Sequence, residues 1–408
     1  MNISQRATNM QASPIRKLIP LANAARKRGV TVYPLNIGQP DVHTPTPVRD
    51  AMRGFDQKVL AYSPSPGEDY LLEAFSHYYH KNNIPLDPSE IIVTTGGSEA
   101  IFFAFLAVCD PGDEVLVFEP FYTNYNGMAF QTGVTLKALR TFAEDGFQIP
   151  PIDVVQKAIT PRTKAILICN PNNPTGTVYT RETLEGLAKL AKQHHLYLLA
   201  DEVYREFAYD GLVHTSILHL PETYDNAILI DSISKRYSAC GARIGLVASK
   251  NKDVIAACLK LAQARLSSPT VEQWAARAGL LMDPSYFQPI LEEYQRRRDV
   301  VMEGFAKIPG CVCKTPKGAF YVIAKLPIKD AEAFSKWLLT DFSHNNETLL
   351  VAPAAGFYVT PGLGKDEIRI SYCLEVEKLR RAMDALAEGV KQYLKVESTQ
   401  GKAMAAGH

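Results

Sequence analysis

Five short apolar runs recur in the first 230 residues, and each is bounded by residues that favour turns. They lie at residues 91–94, 114–118, 165–169, 196–200 and 227–230. Runs of this length, rich in Val, Ile and Leu, are typical of strands. Their apolar positions are continuous rather than alternating, which indicates that both faces of the predicted sheet are covered.

Helical patterns separate several of these runs. Residues 98–109 follow the first run and residues 180–194 follow the third, with apolar positions at helical spacing. Parallel strands need crossover connections, and helices usually supply them. The alternation therefore predicts an α/β fold in which a mostly parallel sheet is sandwiched by helices.

The pattern changes after Gly245. It predicts long helices at 251–263 and 272–298, strands at 319–323 and 368–372, and helices at 331–339 and 375–393. A chain of 408 residues is also too long for a single core. We therefore expect a large domain at 49–293, a smaller α+β domain at 294–408, and an N-terminal segment, 1–48, that contributes to the smaller domain.

The charge balance argues against a polyanionic partner. Lys and Arg number 44 against 43 Asp and Glu, which leaves a formal charge of +1. Binding to nucleic acid or to an anionic membrane surface favours a basic excess that this chain lacks. No stretch approaches the roughly 18 apolar residues of a membrane span. We expect small-molecule partners, and neither nucleic acid nor a membrane.

The seven cysteines are odd in number and lie mostly in apolar runs, where a free thiol packs as a small hydrophobic group. The first residues are polar and lack the pattern of a secretory signal. Both features favour a cytoplasmic protein. Cys311 and Cys313 have no second pair of ligands near them in the sequence, so we expect no metal site.

Polar residues follow the predicted strands at their carboxyl ends, where open α/β sheets bind ligands. The first run leads through Thr95-Gly96-Gly97-Ser98 into a helix, whose free N–H groups can bind a phosphate. An ordinary glycine turn capped by Ser98 would have the same sequence. The third run leads into residues 170–176, whose amides and prolines predict either a rigid donor loop or a surface turn.

Two charged residues follow later strands. Asp201 comes directly after the fourth run, where a buried carboxylate would need a cationic partner, although it could also cap the next segment. Lys235 follows the fifth run, and Arg243 lies eight residues beyond it. A lysine in such a cluster can be a Schiff-base nucleophile, whereas most lysines are solvated surface groups.

In order and spacing, these residues resemble the class I aminotransferases of pyridoxal-phosphate fold type I, and bacterial aspartate aminotransferases in particular. The resemblance extends over roughly residues 15–393. The motifs that carry it are TGGS at 95–98, NPTG at 173–176, DEVY at 201–204, SISK at 232–235 and GARIG at 241–245, together with NIGQPD at 36–41, YSPSPG at 62–67 and GAFY at 318–321.

The resemblance implies that the cofactor is pyridoxal 5'-phosphate. It implies that Lys235 forms the aldimine with this cofactor and then moves the proton between the substrate Cα and the cofactor. Asp201 is implied to pair with the pyridine nitrogen, and Asn173 and Tyr204 to bond to the phenolic oxygen. Tyr122 is implied to stack on the ring.

The resemblance also implies which groups hold the cofactor phosphate, namely Gly97, Ser98, Glu99, Ser232 and Arg243. A glutamate is unusual beside a phosphate, so the backbone N–H of Glu99 would serve while its carboxylate turned away or met a cation. Tyr62 matches a tyrosine that reaches the phosphate of the neighbouring subunit. A homodimer with composite active sites is the assembly that this implies.

For the substrate, Arg369 matches the arginine whose planar fork binds the α-carboxylate, assisted by Asn173 and the backbone of Gly38. The side-chain pocket is less defined by the resemblance. We hypothesise that Arg265 binds the distal carboxylate of aspartate or glutamate, with Arg16 as the alternative candidate. Arg265 could instead pack at the dimer interface.

The predicted activity is transamination between an L-amino acid, with L-aspartate as the leading candidate, and 2-oxoglutarate. One alternative is an aminotransferase of aromatic or broad specificity. Another is a fold type I lyase or decarboxylase, since these enzymes keep the same lysine, aspartate and phosphate site. A non-enzymatic ligand sensor is disfavoured because every catalytic position is intact.

Overall fold

The computed structural model describes residues 1–11 and 13–405. The helices in these ranges are α1 (Gln5–Asn9), α2 (Ile19–Lys27), α3 (Thr46–Arg53), α4 (Asp69–Lys81), α5 (Gly97–Val108), α6 (Asn124–Thr132), α7 (Ile152–Ala158), α8 (Arg181–Gln193), α9 (Ile233–Arg236), α10 (Lys252–Arg265), α11 (Thr270–Leu280), α12 (Phe287–Ala306), α13 (Ala331–Thr340) and α14 (Val376–Ala405). The strands are β1 (Thr31–Pro34), β2 (Ile91–Thr94), β3 (Glu114–Glu119), β4 (Thr135–Arg140), β5 (Thr163–Cys169), β6 (Tyr197–Asp201), β7 (Ala227–Ser232), β8 (Gly245–Ala248), β9 (Tyr321–Lys325), β10 (Glu347–Leu350), β11 (Ala352–Pro353) and β12 (Glu367–Ser371).

The largest sheet has seven strands in the order β2-β8-β7-β6-β5-β3-β4. All neighbouring pairs are parallel except those of β8, which runs antiparallel to β2 and β7. Successive residues of β3 enter different apolar clusters, with Leu116 and Phe118 on one face and Val115 and Val117 on the other. Both faces are therefore covered, and the predicted α/β fold with a mostly parallel sheet is confirmed.

Two strands of this sheet, β4 and β8, are not predicted by the hydrophobic pattern. The edge strand β4 contains Lys137 and Arg140 and is only partly buried, so its sequence lacks a continuous apolar run. Strand β8 is only four residues long and directly follows the turn that contains Arg243. Its antiparallel direction needs no crossover helix, so the alternation of strands and helices gives no sign of it.

Two smaller sheets lie beyond the large one. Strands β11, β12 and β9 form an antiparallel sheet, and β1 pairs in parallel with β10. The second pairing joins Thr31–Pro34 of the N-terminal segment to Glu347–Leu350 near the other end of the chain. This contact supports a smaller domain built from both chain ends, while the boundaries at residues 48 and 293 stay predictions.

The single helix predicted at 272–298 is wrong. The structure has α11 and α12 instead, separated by a turn at residues 281–286. Pro284 lies in this turn, and the side chain of Asp283 accepts a hydrogen bond from the backbone N–H of Ser285. A proline inside a helix removes a backbone hydrogen bond and clashes with the preceding turn, so the chain breaks the helix here.

None of the helices in the described residues is both long enough and apolar enough to cross a membrane.

Candidate active site

A cavity of about 520 Å³ opens where the carboxyl ends of β5, β6 and β7 meet the smaller sheets. The last residue of each strand lines it: Cys169, Asp201 and Ser232. The cavity also brings together most of the predicted site residues, namely Gly38, Gly97, Ser98, Tyr122, Asn173, Asp201, Tyr204, Ser232, Lys235, Arg243 and Arg369. Residues that are far apart in the chain thus line the same cavity.

Lys235 extends into this cavity from α9, the short helix that follows β7. The hydroxyl of Ser232 caps this helix by accepting a hydrogen bond from the N–H of Ser234. The Lys235 ammonium donates a hydrogen bond to the carbonyl of Gly38 at 2.8 Å. This contact holds the Lys235 amine at the cavity wall, half-buried and accessible to a reacting group.

Asp201 is buried at the end of β6 without a cationic side chain beside it. Its carboxylate accepts hydrogen bonds from the Tyr125 hydroxyl at 2.7 Å and from the Val203 N–H at 3.3 Å. No Lys, Arg or His nitrogen of the described residues lies within 4.0 Å of it. Burial raises the pKa of Asp201 to about 6. Such a carboxylate fits the protonated ring nitrogen of pyridoxal phosphate.

Burial of Asp201 has a consequence for pH. In a cofactor-free protein the pKa rises on folding from its ordinary value of 3.8 to about 6, so the Asp201 charge destabilises the fold increasingly as the pH increases through this interval. At neutral pH this costs about 3 kcal/mol. We expect Asp201→Asn, which keeps an acceptor for Tyr125, to raise the free energy of unfolding by about this amount at neutral pH and by almost nothing near pH 4.

Denaturant unfolding of the cofactor-free proteins at the two pH values measures this effect. Asp210→Asn is the matched control, because hydrogen bonding to Arg298 lowers the pKa of Asp210 to about 2. That variant should lose stability at neutral pH, with a loss that fades on acidification. Equal shifts at both pH values for Asp201→Asn contradict the expectation.

Arg369 is a buried guanidinium with one nitrogen left unpaired. It is 1% exposed and lies between the rings of Tyr321 and Phe357, at 4.6 and 5.0 Å from their centroids. One Nη donates to the Asn173 side-chain oxygen at 3.2 Å and the other to the Asn36 carbonyl, while Nε has no partner among the described residues. Burial lowers its pKa. A cation in this state fits a carboxylate ligand.

A chain of hydrogen bonds connects Arg369 to the residues around Lys235. Asn173 donates to the Tyr204 hydroxyl at 3.3 Å, and the hydroxyls of Tyr204 and Tyr321 lie 2.9 Å apart. Tyr321 donates in turn to the carbonyl of Gly38 at 3.4 Å. A Cβ atom at Gly38 would lie 1.8 Å from the Tyr321 oxygen, so only glycine allows this approach.

The turn between β2 and α5 forms a cradle for an anion. Gly96 caps α5 with φ of +75°, and the Arg243 guanidinium packs so closely on it that a Cβ atom would lie 2.4 Å from Nη2. Arg243 donates to the carbonyls of Cys240 at 3.0 Å and Thr95 at 3.3 Å. The free N–H groups of Gly97 and Ser98, with this cation, suit a phosphate.

Three predicted site residues lie elsewhere. Tyr62 is 81% exposed. Glu99 and Arg265 are not among the described residues that line the cavity; they form an ion pair with each other at 2.9 Å. Within one chain the partly buried Arg265 is already paired with a carboxylate, which disfavours substrate binding by this residue, although the hypothesis stays a prediction.

Sequence reasoning missed several groups at the site. Tyr125 bonds to Asp201, and Asn36 supplies the carbonyl that binds Arg369. Tyr125 lies in α6, three residues after Tyr122, but nothing in the sequence marks it as a partner of Asp201. Arg16, by contrast, was predicted as the alternative candidate for the distal carboxylate; it lines the cavity and forms no ion pair with a described residue.

Comparisons with known proteins agree with this chemistry. A family model described as aminotransferase class I and II matches residues 30–386. An aspartate/prephenate aminotransferase from Thermus thermophilus is 34% identical over 395 residues, which covers 94% of this chain and 98% of the relative. Aromatic-amino-acid aminotransferase 2 from Thermococcus litoralis is 31% identical, covering 96% and 99%. A solved aspartate aminotransferase from Thermus thermophilus with maleate superposes with a TM-score of 0.87 at 33% identity, covering 95% and 100%.

Proposed function

Because the chain belongs to the class I and II aminotransferase family, we propose that it transfers the amino group of L-aspartate to 2-oxoglutarate. One observation carries the proposal. The amine of Lys235, the carboxylate of Asp201 without a cationic partner, and the incompletely hydrogen-bonded guanidinium of Arg369 line a single cavity. The family assignment supports an aminotransferase over the lyase and decarboxylase alternatives.

The cofactor of these enzymes is pyridoxal phosphate, which when bound supplies an electron sink for the pair left at the substrate Cα. The residues of the chain bind the substrate and transfer its proton. Lys235 would remove the Cα proton and deliver it to the cofactor at C4′. Asp201 would keep the ring nitrogen protonated, since the ion pair would recover part of the cost of burying this carboxylate.

Arg369 orients the substrate by its α-carboxylate. Its Nε is buried and has no partner among the described residues, so a carboxylate that bound to this guanidinium would complete its hydrogen bonding. Asn173 and Tyr204, already bonded to each other, hold the phenolic oxygen of the ring. The resulting grip fixes which bond at Cα faces Lys235.

The charges of the cavity wall support a substrate with two carboxylates. Among described lining residues the cations are Arg16, Lys235, Arg243 and Arg369, and Asp201 is the one acid. In the proposed complex, the phosphate would neutralise Arg243, the α-carboxylate would neutralise Arg369, and the ring nitrogen would pair with Asp201. Arg16, the alternative candidate to Arg265, then remains to bind the distal carboxylate of aspartate or glutamate.

A panel of amino donors with 2-oxoglutarate as acceptor tests this specificity. We expect the highest kcat/KM for aspartate, and we expect Arg16→Ala to raise the KM for aspartate about tenfold while leaving that for alanine unchanged. Lys17→Ala is the matched control, because this neighbouring cation pairs with Glu332 instead of lining the cavity. A preference for phenylalanine would favour the aromatic alternative and leave the aminotransferase class intact.

We also propose that the enzyme is a homodimer. Val59, Leu60 and Tyr62 are 73, 66 and 81% exposed, an unusual density of apolar surface within four residues. In a dimer, Tyr62 of the partner subunit would complete the phosphate site, as the family resemblance implies. Sedimentation of the holoenzyme decides this, and a monomer contradicts it. A cytoplasmic location stays a prediction from the cysteine content.

A further inference from the structure

The ion pair between Glu99 and Arg265 lies directly behind the phosphate cradle. Glu99 is the third residue of α5, and its Oε2 accepts hydrogen bonds from Arg265 Nη1 at 2.9 Å and from the Thr95 N–H at 2.7 Å. The two charged side chains are only 16 and 19% exposed. A pair shielded to this extent is screened less by water and salt than a surface pair.

Arg265 also ties the end of α10 to the end of β2. Its guanidinium donates to the Ser268 hydroxyl at 2.7 Å and to the carbonyls of Ser65 and Val93 at 3.2 and 3.3 Å. Among the described residues Glu99 is its one carboxylate partner within 4.0 Å. The fork of an arginine can make these contacts together, which a point-like ammonium cannot do equally well.

Thr95 connects this pair to the proposed phosphate site. Its N–H donates to Glu99, and its carbonyl accepts a hydrogen bond from Arg243 at 3.3 Å. The turn that presents the N–H groups of Gly97 and Ser98 is therefore held from one side by Arg243 and from the other by Glu99. Movement of Glu99 would be transmitted to both groups that we assign to the phosphate.

Charge gives Arg265 a second effect on this turn. The N-terminal end of α5 favours negative charge, and the Glu99 carboxylate and a phosphate dianion would occupy the same end of the helix. Without a neutralising cation, the two anions would repel each other across partly buried protein. Arg265 supplies that cation.

We propose that Arg265 is a positioning residue for the cofactor: by neutralising Glu99 and fixing the turn at Thr95, it allows Gly97 and Ser98 to hold the phosphate of pyridoxal phosphate. The inference rests on the proposed function, in which that turn binds the phosphate. It assigns Arg265 to cofactor retention instead of substrate binding, and Glu99 to the support of the turn.

The test is the affinity of the full-length chain for pyridoxal phosphate, measured by titration of the cofactor-free protein and by loss of cofactor from the holoenzyme. Arg265→Met should weaken binding about tenfold, because it leaves the Glu99 charge uncompensated. The double variant Glu99→Gln/Arg265→Met should recover most of the affinity, since it removes that charge. Arg265→Lys keeps the positive charge but loses the fork, so its affinity should lie between those of the wild type and Arg265→Met.

A second ion pair provides a matched control. Lys250 and Glu90 lie 2.8 Å apart at the opposite end of β2, with side chains 18 and 20% exposed. Lys250→Met therefore removes a comparable charge at the end of β2 that is remote from the phosphate cradle, and should leave cofactor affinity unchanged. Melting temperatures of all variants separate loss of fold from loss of cofactor.

Three results would overturn the inference. They are equal cofactor affinities of Arg265→Met and Lys250→Met, a double variant as weak as Arg265→Met alone, and a raised KM for aspartate with unchanged cofactor affinity in Arg265→Met. The last result would assign Arg265 to substrate binding. A wild-type chain that binds no pyridoxal phosphate contradicts the proposed function as well, whereas insensitivity of Arg265→Met in a cofactor-binding chain contradicts the inference alone.

Discussion

Replacing Lys235 with Ala is expected to lower kcat/KM for aspartate by at least about 10⁴-fold, since the variant loses both the nucleophilic amine and the proton carrier. Lys235 is the one lysine among the described residues that line the cavity. Its ammonium is held at 2.8 Å from the Gly38 carbonyl, and among those residues no second amine can replace it. The loss of activity in Lys235→Ala should therefore be close to complete.

The optical properties of the protein provide the independent measurement. Wild-type holoenzyme should have a visible band from the bound cofactor, and borohydride should fix that cofactor to Lys235. Lys235→Arg keeps the positive charge without a free amine and should be as inactive as Lys235→Ala. Lys250→Met should retain both the band and the activity. Turnover of Lys235→Ala near the wild-type rate contradicts the assignment.

Replacing Arg369 with Lys is expected to lower kcat/KM by about 10²- to 10³-fold, because a buried charged partner of the substrate is replaced by one that cannot bind in a fork. The Arg369 guanidinium donates to Asn173 and Asn36 and is enclosed by Tyr321 and Phe357. A lysine ammonium in this space could not keep both contacts and also meet a carboxylate. The α-carboxylate would lose its orientation over the cofactor.

The pattern across substrates distinguishes this role from that of Arg16. Every amino acid has an α-carboxylate, so Arg369→Lys should lower kcat/KM for aspartate and alanine alike, whereas Arg16→Ala should affect aspartate alone. The visible band should remain in both variants. Arg298→Lys, at a buried arginine that pairs with Asp210, controls for the cost of altering a buried cation. A loss confined to aspartate would assign Arg369 to the distal carboxylate instead.

The hydrophobic pattern predicted those parts of the fold that depend on local sequence. Each of the five apolar runs became a strand of the large sheet, because a strand buried on both faces must be apolar at nearly every position. Strand β8 was not predicted because it runs antiparallel to its neighbours and follows β7 without the crossover helix that marks most of the other strands. The helix predicted at 272–298 failed because apolar spacing continued through the turn at Pro284.

The candidate site was predictable to a similar extent, and for a related reason. Asp201 and Ser232 each end a strand, and parallel strands of one sheet place such residues at the same edge. Position along the chain thus indicated which groups could meet. It gave no sign of Tyr125 as the donor to Asp201, since that contact joins residues 76 positions apart.

Apolar periodicity, turn residues and motif spacing are local properties of a chain, and they were enough to identify the α/β class, the family and the set of chemically competent residues. The tertiary structure decided which charge meets which. Arg265 and Glu99 are separated by 166 positions, and Arg369 and Asn173 by 196. Whether an arginine is neutralised by its own protein or left available for a ligand depends on such long-range contacts, and packing alone sets them.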